Sequence, residues 1–358
     1  MNAAIFYGPN DLRLEEVQIT DISDNGILLE TLACSVCSYD VRTFRNGSFK
    51  VKPPVILGHE ICARTTDDLE SKNISIKSGT RVSIYPVIPC LNCWYCNNKM
   101  YNLCSNLKEI GSTVNGGFAS HILIPRKILE IGGIVPVFDD VSNEEASLIE
   151  PLACCINGIN QVKDFTFESA IILGDGPIGL MQSMLLKKYF PNTRAAVCGK
   201  VQHRLDSACI IGADATYLIN EEIPEEEHIK NIRSISGRSS PNLVFVSNNN
   251  PASIGVAAKL VNKNGRIVIF SGIKKKNNTA VVNGPIDIDA NFIHYNQVSI
   301  HGSFSSNPEN LHEAMDMVRR KEINLRPLVT SSYFLEDLSR ALETAESFNG
   351  LKSVINKF

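Results

Sequence analysis

Three groups of residues in this chain have the types and spacing to do chemistry. The first is "PCLNCWYCNNKMYNLC", residues 89 to 104, which sets Cys90, Cys93, Cys96 and Cys104 in a C-x2-C-x2-C-x7-C array. Four soft ligands this close can hold a metal, which either does chemistry or pins a loop. The second group is dispersed: Cys37 in "CSVCSYD", His59 and Glu60 in "LGHE", and Glu150 in "IEPLACC". A catalytic zinc takes mixed sulfur, nitrogen and oxygen ligands and keeps one position open. Taken singly, these residues have plainer readings: a buried cysteine, a satisfied histidine, a glutamate opening a helix before proline.

The third group is "ILGDGPIG", where Gly174, Gly176 and Gly179 make a G-x-G-x-x-G turn around Pro177 and Ile178. It follows an apolar strand and opens a helix, the context in which the pattern binds a dinucleotide. The first glycine permits the tight turn, the second lets backbone approach a pyrophosphate, and the third lets helix pack close on strand. The helix N-terminus then offers free N–H groups to phosphate. An acidic residue about 20 positions further on would accept the ribose 2′-hydroxyl of NAD(H). That count reaches Gly199, followed by Lys200, His203 and Arg204. Cations there suit a 2′-phosphate, so NADP(H) is favoured over NAD(H); the competing reading is ordinary surface charge.

The elements that must position these groups fall into two textures. Up to about residue 150, short part-alternating segments such as "AAIF", "LRLEEV", "GILLETLAC" and "GTRVSIYP" are separated by turn signals. From about residue 168, buried strands alternate with helices, as in "SAIILGDGPIGLMQSMLLKKYF" and "NLVFV" followed by "PASIGVAAKLVNK". That rhythm predicts a parallel sheet covered by helices on both faces. Past about 290 come helical pieces and a last strand-like "KSVINKF". The charge runs "EEIPEEE" (221–227) and "KKKNN" (274–278) read as solvated segments.

Composition narrows the functional classes. With 358 residues and 44% hydrophobic content, two domains are expected. Lys and Arg number 35 against 38 Asp and Glu, a balance that offers no field for a nucleic-acid backbone. No apolar run is long enough to span a membrane, and the first residues do not read as a secretory signal. Eleven cysteines, an odd number with seven outside the cluster, do not form a disulfide framework, so a reducing cytoplasm is expected.

Along its whole length the chain resembles the medium-chain zinc-dependent alcohol dehydrogenases, most closely their polyol (sorbitol-type) branch. The resemblance is carried, in order, by "VCSYD", "LGHE", the four-cysteine lobe, "GGFASHILIP", "EPLACC", "LGDGPIGL", "RPLVT" and "GLKSVI". It implies an α/β chain in which a Rossmann domain, residues 153–291, interrupts a mostly-β GroES-like catalytic domain formed by 1–152 and 292–358. It implies two zinc ions per chain. One is structural, held by Cys90, Cys93, Cys96 and Cys104 in a lobe at about 88–106; a site closed by four thiolates suits folding, and the spacing matches neither common ferredoxin pattern. The other is catalytic, on Cys37 and His59, with Glu150 where polyol-type enzymes have glutamate and Glu60 as a ligand or an exchanging partner. The resemblance also places Lys352, in "GLKSVI", at the cofactor.

The activity implied is hydride transfer between a nicotinamide cofactor and a secondary alcohol or ketone of a polyol, sugar or sugar phosphate, by a homodimer or homotetramer. Reduction of simple ketones or aldehydes is the neighbouring alternative, and a catalytically silent homologue is another. Two positions depart from the family pattern. Tyr39 stands where relatives carry the Ser or Thr of a proton relay, so it either relays or shapes the pocket. Ala63 stands at a site that is usually glycine. Arg42, Arg45, Lys50 and Lys52 either meet a substrate phosphate or form a solvated face.

Overall fold

A computed structural model describes residues 1–18, 26–71, 74–237, 240–272 and 288–358. The "KKKNN" run lies outside the described residues. The chain divides into two compact units, Met1–Ala153 with Ser305–Phe358, and Cys154–Phe304. The second boundary therefore falls later than the expected 291, because the strand Ser299–Gly302 pairs in parallel with Arg266–Ile269 and completes the inserted unit's sheet.

The discontinuous unit is built on a seven-stranded sheet whose centre is Gly26–Ser35. "GILLETLACS" alternates buried and half-buried positions over most of its length, as a strand facing a core on one side requires. Glu60–Thr65 lies antiparallel on one side of it. On the other side its last residues, Cys34 and Ser35, pair with Lys352–Lys357, which brings the end of the sequence beside its beginning. Phe6, Leu29, Ile61, Ile84, Phe118 and Ile124 are among the fully buried side chains of this unit. Ala63 is buried on Glu60–Thr65 in register with Val82, an ordinary strand position that a methyl group fills.

The inserted unit carries six parallel strands in the spatial order Ala215–Leu218, Arg194–Gly199, Ser169–Leu173, Leu243–Val246, Arg266–Ile269, Ser299–Gly302. Numbered within the unit that is 3-2-1-4-5-6, the doubly wound dinucleotide order. Ser169–Leu173 and Leu243–Val246 are buried at every position, as strands covered on both faces must be. Gly174 ends the first strand at φ +145°, and the helix Pro177–Tyr189 follows at once with proline in its first turn. Ligands of such sheets bind beyond the carboxyl ends of the strands, where strand order reverses.

Candidate active site

Cys37, His59 and Glu60 are set by the two central strands of the discontinuous unit. Gly26–Ser35 ends two residues before Cys37, and Glu60 opens the strand Glu60–Thr65. Cys37 caps the helix Ser38–Asn46, its Sγ accepting from the Tyr39 N–H at 3.5 Å. Ser35 and Glu60 are in register, so the two strand ends hold the thiol and the imidazole together. One donor atom from each of Cys37, His59 and Glu60 lies within 4.8 Å of the others.

Asp40 clamps this arrangement from a fully buried position. Its Oδ2 accepts from the Cys37 N–H at 2.9 Å, its Oδ1 accepts from the Gly58 N–H at 3.3 Å, and Oδ1 lies 3.6 Å from His59 Nδ1. Burial disfavours a charge on His59, yet Asp40 and Cys37 outweigh it and hold the imidazole pKa well above its ordinary value. A site that draws positive charge onto its histidine suits a cation. The donor set of thiol, imidazole and carboxylate suits zinc.

Glu60 is the anionic end of a buried pair. Lys352 Nζ donates to Glu60 Oε1 at 2.6 Å and Oε2 at 2.5 Å, and its third hydrogen bond goes to the Val36 carbonyl at 3.2 Å. Ser35 Oγ also donates to Glu60 Oε2. Burial opposes the charge on Lys352, but Glu60, Cys37 and Glu150 raise its pKa above the usual lysine value. Lys352, expected at the cofactor, spends these hydrogen bonds on Glu60 and Val36 within the discontinuous unit. Glu150 lies outside the close triad, buried in the first turn of Ile149–Asn160, near enough for its charge to act on Lys352.

Tyr39 packs its ring edge-on against His59, the centroids 6.0 Å apart. Its hydroxyl lies 3.2 Å from Ser48 Oγ and 3.1 Å from Ser112 Oγ. Of the four cations read either as phosphate partners or as a solvated face, Arg45 pairs with Glu346 at 2.7 Å and Lys50 with Glu109 at 3.0 Å. Arg42 stacks over the Tyr39 ring at 5.8 Å, while Lys52 is exposed.

In the four-cysteine lobe, Leu91 and Lys99 adopt left-handed backbone at φ +67° and +57°, folding the segment tightly enough to converge its thiols. Sulfur atoms of Cys93 and Cys96 are 3.5 Å apart, those of Cys90 and Cys96 3.9 Å, and those of Cys93 and Cys104 4.0 Å. Four thiolates around zinc at about 2.3 Å would stand about 3.8 Å apart, so the lobe fits that ion with little adjustment. Backbone N–H groups of Ser105 and Cys96 lower the Cys93 pKa to about 6, whereas burial pushes Cys96 up to about 12.

At the glycine turn, a Cβ on Gly176 would meet nothing within 4 Å, leaving the space a pyrophosphate needs, whereas one on Gly179 would collide with the Gly174 carbonyl. Gly176 is the N-cap of the following helix and no side chain caps it. Lys200 Nζ pairs with Glu221 Oε1 at 2.5 Å, and Arg204 is only 5% exposed. One premise of the cofactor reading needs correction. A carboxylate does stand at Gly199: that of Asp175, folded back from the glycine turn. Sequence reasoning also passed over the roles of Asp40 and Ser35, both inside "CSVCSYD", and the pairing of Lys352 in "GLKSVI" with Glu60 in "LGHE".

Comparison with known proteins gives a consistent picture. The alcohol dehydrogenase GroES-like domain family matches residues 23–131, and the glucose dehydrogenase C-terminus family matches residues 144–356. The sorbitol dehydrogenase of Bacillus subtilis is 28% identical over 352 residues, covering 97% of this chain and 94% of that protein. The D-arabitol-phosphate dehydrogenase of Enterococcus avium is 25% identical over 350 residues, with 97% and 94% covered. Among solved structures, an alcohol dehydrogenase of Thermotoga maritima superposes with a TM-score of 0.88 at 23% identity, covering 100% of this chain and 99% of that one. At that identity it speaks for the fold alone. With the glycine turn, the four-thiol lobe and the cysteine–histidine–glutamate triad in place, the chain belongs to the zinc-type medium-chain alcohol dehydrogenases, in their polyol dehydrogenase branch.

Proposed function

We propose that this enzyme interconverts a secondary alcohol and its ketone on a polyol, sugar or sugar phosphate, with zinc and a nicotinamide dinucleotide. The observation that carries the reading is the convergence of Cys37, His59 and Glu60 within 4.8 Å, on strand ends that Asp40 and Lys352 hold from behind. The names of the relatives, sorbitol and D-arabitol-phosphate dehydrogenase, support the substrate class.

Cys37 and His59 would hold the catalytic ion, with Glu60 and Glu150 as the carboxylates that approach or exchange on it. When bound, zinc supplies Lewis acidity toward the substrate oxygen and the nicotinamide supplies hydride chemistry. Asp40 fixes the direction of the thiol and the imidazole, so the ligands need not reorganise during turnover. Lys352 and Ser35 set how far the Glu60 carboxylate can swing. Tyr39 forms a wall beside His59, its hydroxyl engaged by Ser48 and Ser112. A second ion, on Cys90, Cys93, Cys96 and Cys104, would serve the lobe's fold. With Lys200 paired and Arg204 buried, a preference for NADP(H) loses two of its supports.

Eleven cysteines, seven of them outside the four-cysteine lobe, make no disulfide framework in so long a chain, and we keep the reading of a reducing compartment. No helix among the described residues is long and apolar enough to cross a membrane. We extend the reading to a homodimer or homotetramer; Ser299–Gly302, the last strand of its sheet among the described residues, offers an edge for pairing.

The test is a nicotinamide absorbance assay over polyols, ketoses, their phosphates and simple ketones, each with both cofactors. Chelator-sensitive turnover on a polyol or its phosphate is expected. Cys37→Ser and His59→Ala should bring it below detection while NADH binding, followed by fluorescence, stays within a few-fold. Full activity in either variant would sink the assignment, and turnover confined to simple ketones would favour the neighbouring branch.

A further inference from the structure

We propose that Asp175, inside the glycine turn, recognises the adenosine ribose and selects NAD(H) over NADP(H). This rests on the reading that the turn binds a nicotinamide dinucleotide. In such folds the selecting carboxylate ordinarily stands beyond the end of the second strand and accepts from the ribose 2′-hydroxyl. Here that strand, Arg194–Gly199, ends in a glycine that has no side chain to offer. The space is nonetheless filled. A Cβ built on Gly199 would overlap Oδ2, Cγ and Cβ of Asp175, so the aspartate stands where the side chain of an end-of-strand residue would begin. Gly199 and Asp175 therefore form a matched exchange: the strand end gives up its side chain, and the turn supplies the carboxylate.

The carboxylate is anchored through one oxygen. Asp175 Oδ2 accepts from the backbone N–H of Lys200 at 2.7 Å and of Val201 at 2.8 Å. Oδ1 has no hydrogen-bond partner among the described residues, and the side chain is partly exposed, so one oxygen is held and the other is presented. An acceptor so placed suits the hydroxyl of an unmodified ribose.

The same arrangement works against a 2′-phosphate twice over. The two N–H groups that follow the strand, natural donors to phosphate oxygens, are already taken by Oδ2. A phosphate monoester would also bring roughly two negative charges against a fixed carboxylate. The neighbouring cations do not compensate. Lys200 is paired with Glu221, and Arg204, whose charge is felt beside Asp175, is buried.

The test measures binding, not turnover. Quenching or enhancement of NADH and NADPH fluorescence is titrated in parallel with the wild-type protein, Asp175→Asn and Asp175→Ala. The wild type is expected to bind NADH at least tenfold more tightly than NADPH. Asparagine keeps an oxygen for the two backbone donors and removes the charge, so NADPH should tighten and the preference should shrink tenfold or more. Alanine should in addition weaken NADH tenfold. Thermal melting identifies a variant that does not fold, and the asparagine variant then carries the test. Equal or tighter binding of NADPH by the wild type overturns the proposal, as does a preference that neither variant moves. A folded wild type that binds neither dinucleotide overturns the nucleotide reading itself, a different outcome from a reversed preference.

Discussion

Lys352 and Glu60 are 4% and 2% exposed, which makes their ion pair one of the most deeply buried charge arrangements in the chain. Removing one member of such a pair leaves the other charge buried and uncompensated, a loss of about 3 to 5 kcal/mol. Lys352→Met should therefore lower stability by about that much in urea unfolding. Adding Glu60→Gln to it should restore part of the loss. A single variant as stable as wild type would show that Glu60 finds another cation. At Tyr39, the phenol engages Ser48 and Ser112, so Tyr39→Phe should cost about 1 kcal/mol of stability and leave kcat within about threefold. A fall of about a hundredfold or more with an altered pH profile would make the hydroxyl a proton carrier instead. Cys37 and His59 could be singled out in the sequence because their types are rare and their motifs are ordered. Lys352 could not be assigned to Glu60, since 292 residues separate them and only the sheet brings them together. Asp175 was hidden for a related reason: counting along the chain finds no acid at Gly199, while the turn folds one back onto it.

Elements differ in how far their own residues hold them. In the lobe, Cys96, Asn102 and Cys104 are buried, but Leu91, Trp94, Tyr95, Met100 and Leu103 are exposed. A segment that buries so little apolar surface needs a further tie to fold, and an ion on the four proposed ligands would supply it. Chelation, or Cys96→Ser, should open residues 91–104 to limited proteolysis and leave the far-ultraviolet dichroism of the rest nearly unchanged. The serine variant should also carry one zinc fewer per chain. Protease resistance of the stripped lobe would show that it folds without an ion. The strands and helices of the inserted unit were readable because burial on both faces writes long apolar runs into the sequence. The seven-stranded sheet was less readable. Its strand Ile134–Pro136 is three residues long, too short for any period, and the placement of Lys352–Lys357 beside Gly26–Ser35 is a long-range pairing that no local pattern encodes.

At the scale of the molecule, each unit has a core of its own among the described residues. One gathers side chains from both ends of the sequence, including Leu29, Ile61, Phe118, Leu342 and Ile355, and the other lies wholly between Ile171 and Val298. Units with their own cores need not unfold together. Calorimetry should resolve two transitions. NADH at a hundred times its dissociation constant should stabilise the Cys154–Phe304 unit by about 2.7 kcal/mol, whereas chelation should lower the other transition. A single transition moved equally by both would show that the units unfold as one. The split of one unit around the other also bears on biosynthesis. A ribosome releases Glu60 early, but the ammonium that neutralises it sits on a strand made only after the entire inserted unit has emerged. The inserted unit can fold as it appears, while Glu60, beside Cys37 and His59, waits for Lys352. On the proposed reading, a metal site there is completed only after the inserted unit has been made, when the closing strand docks.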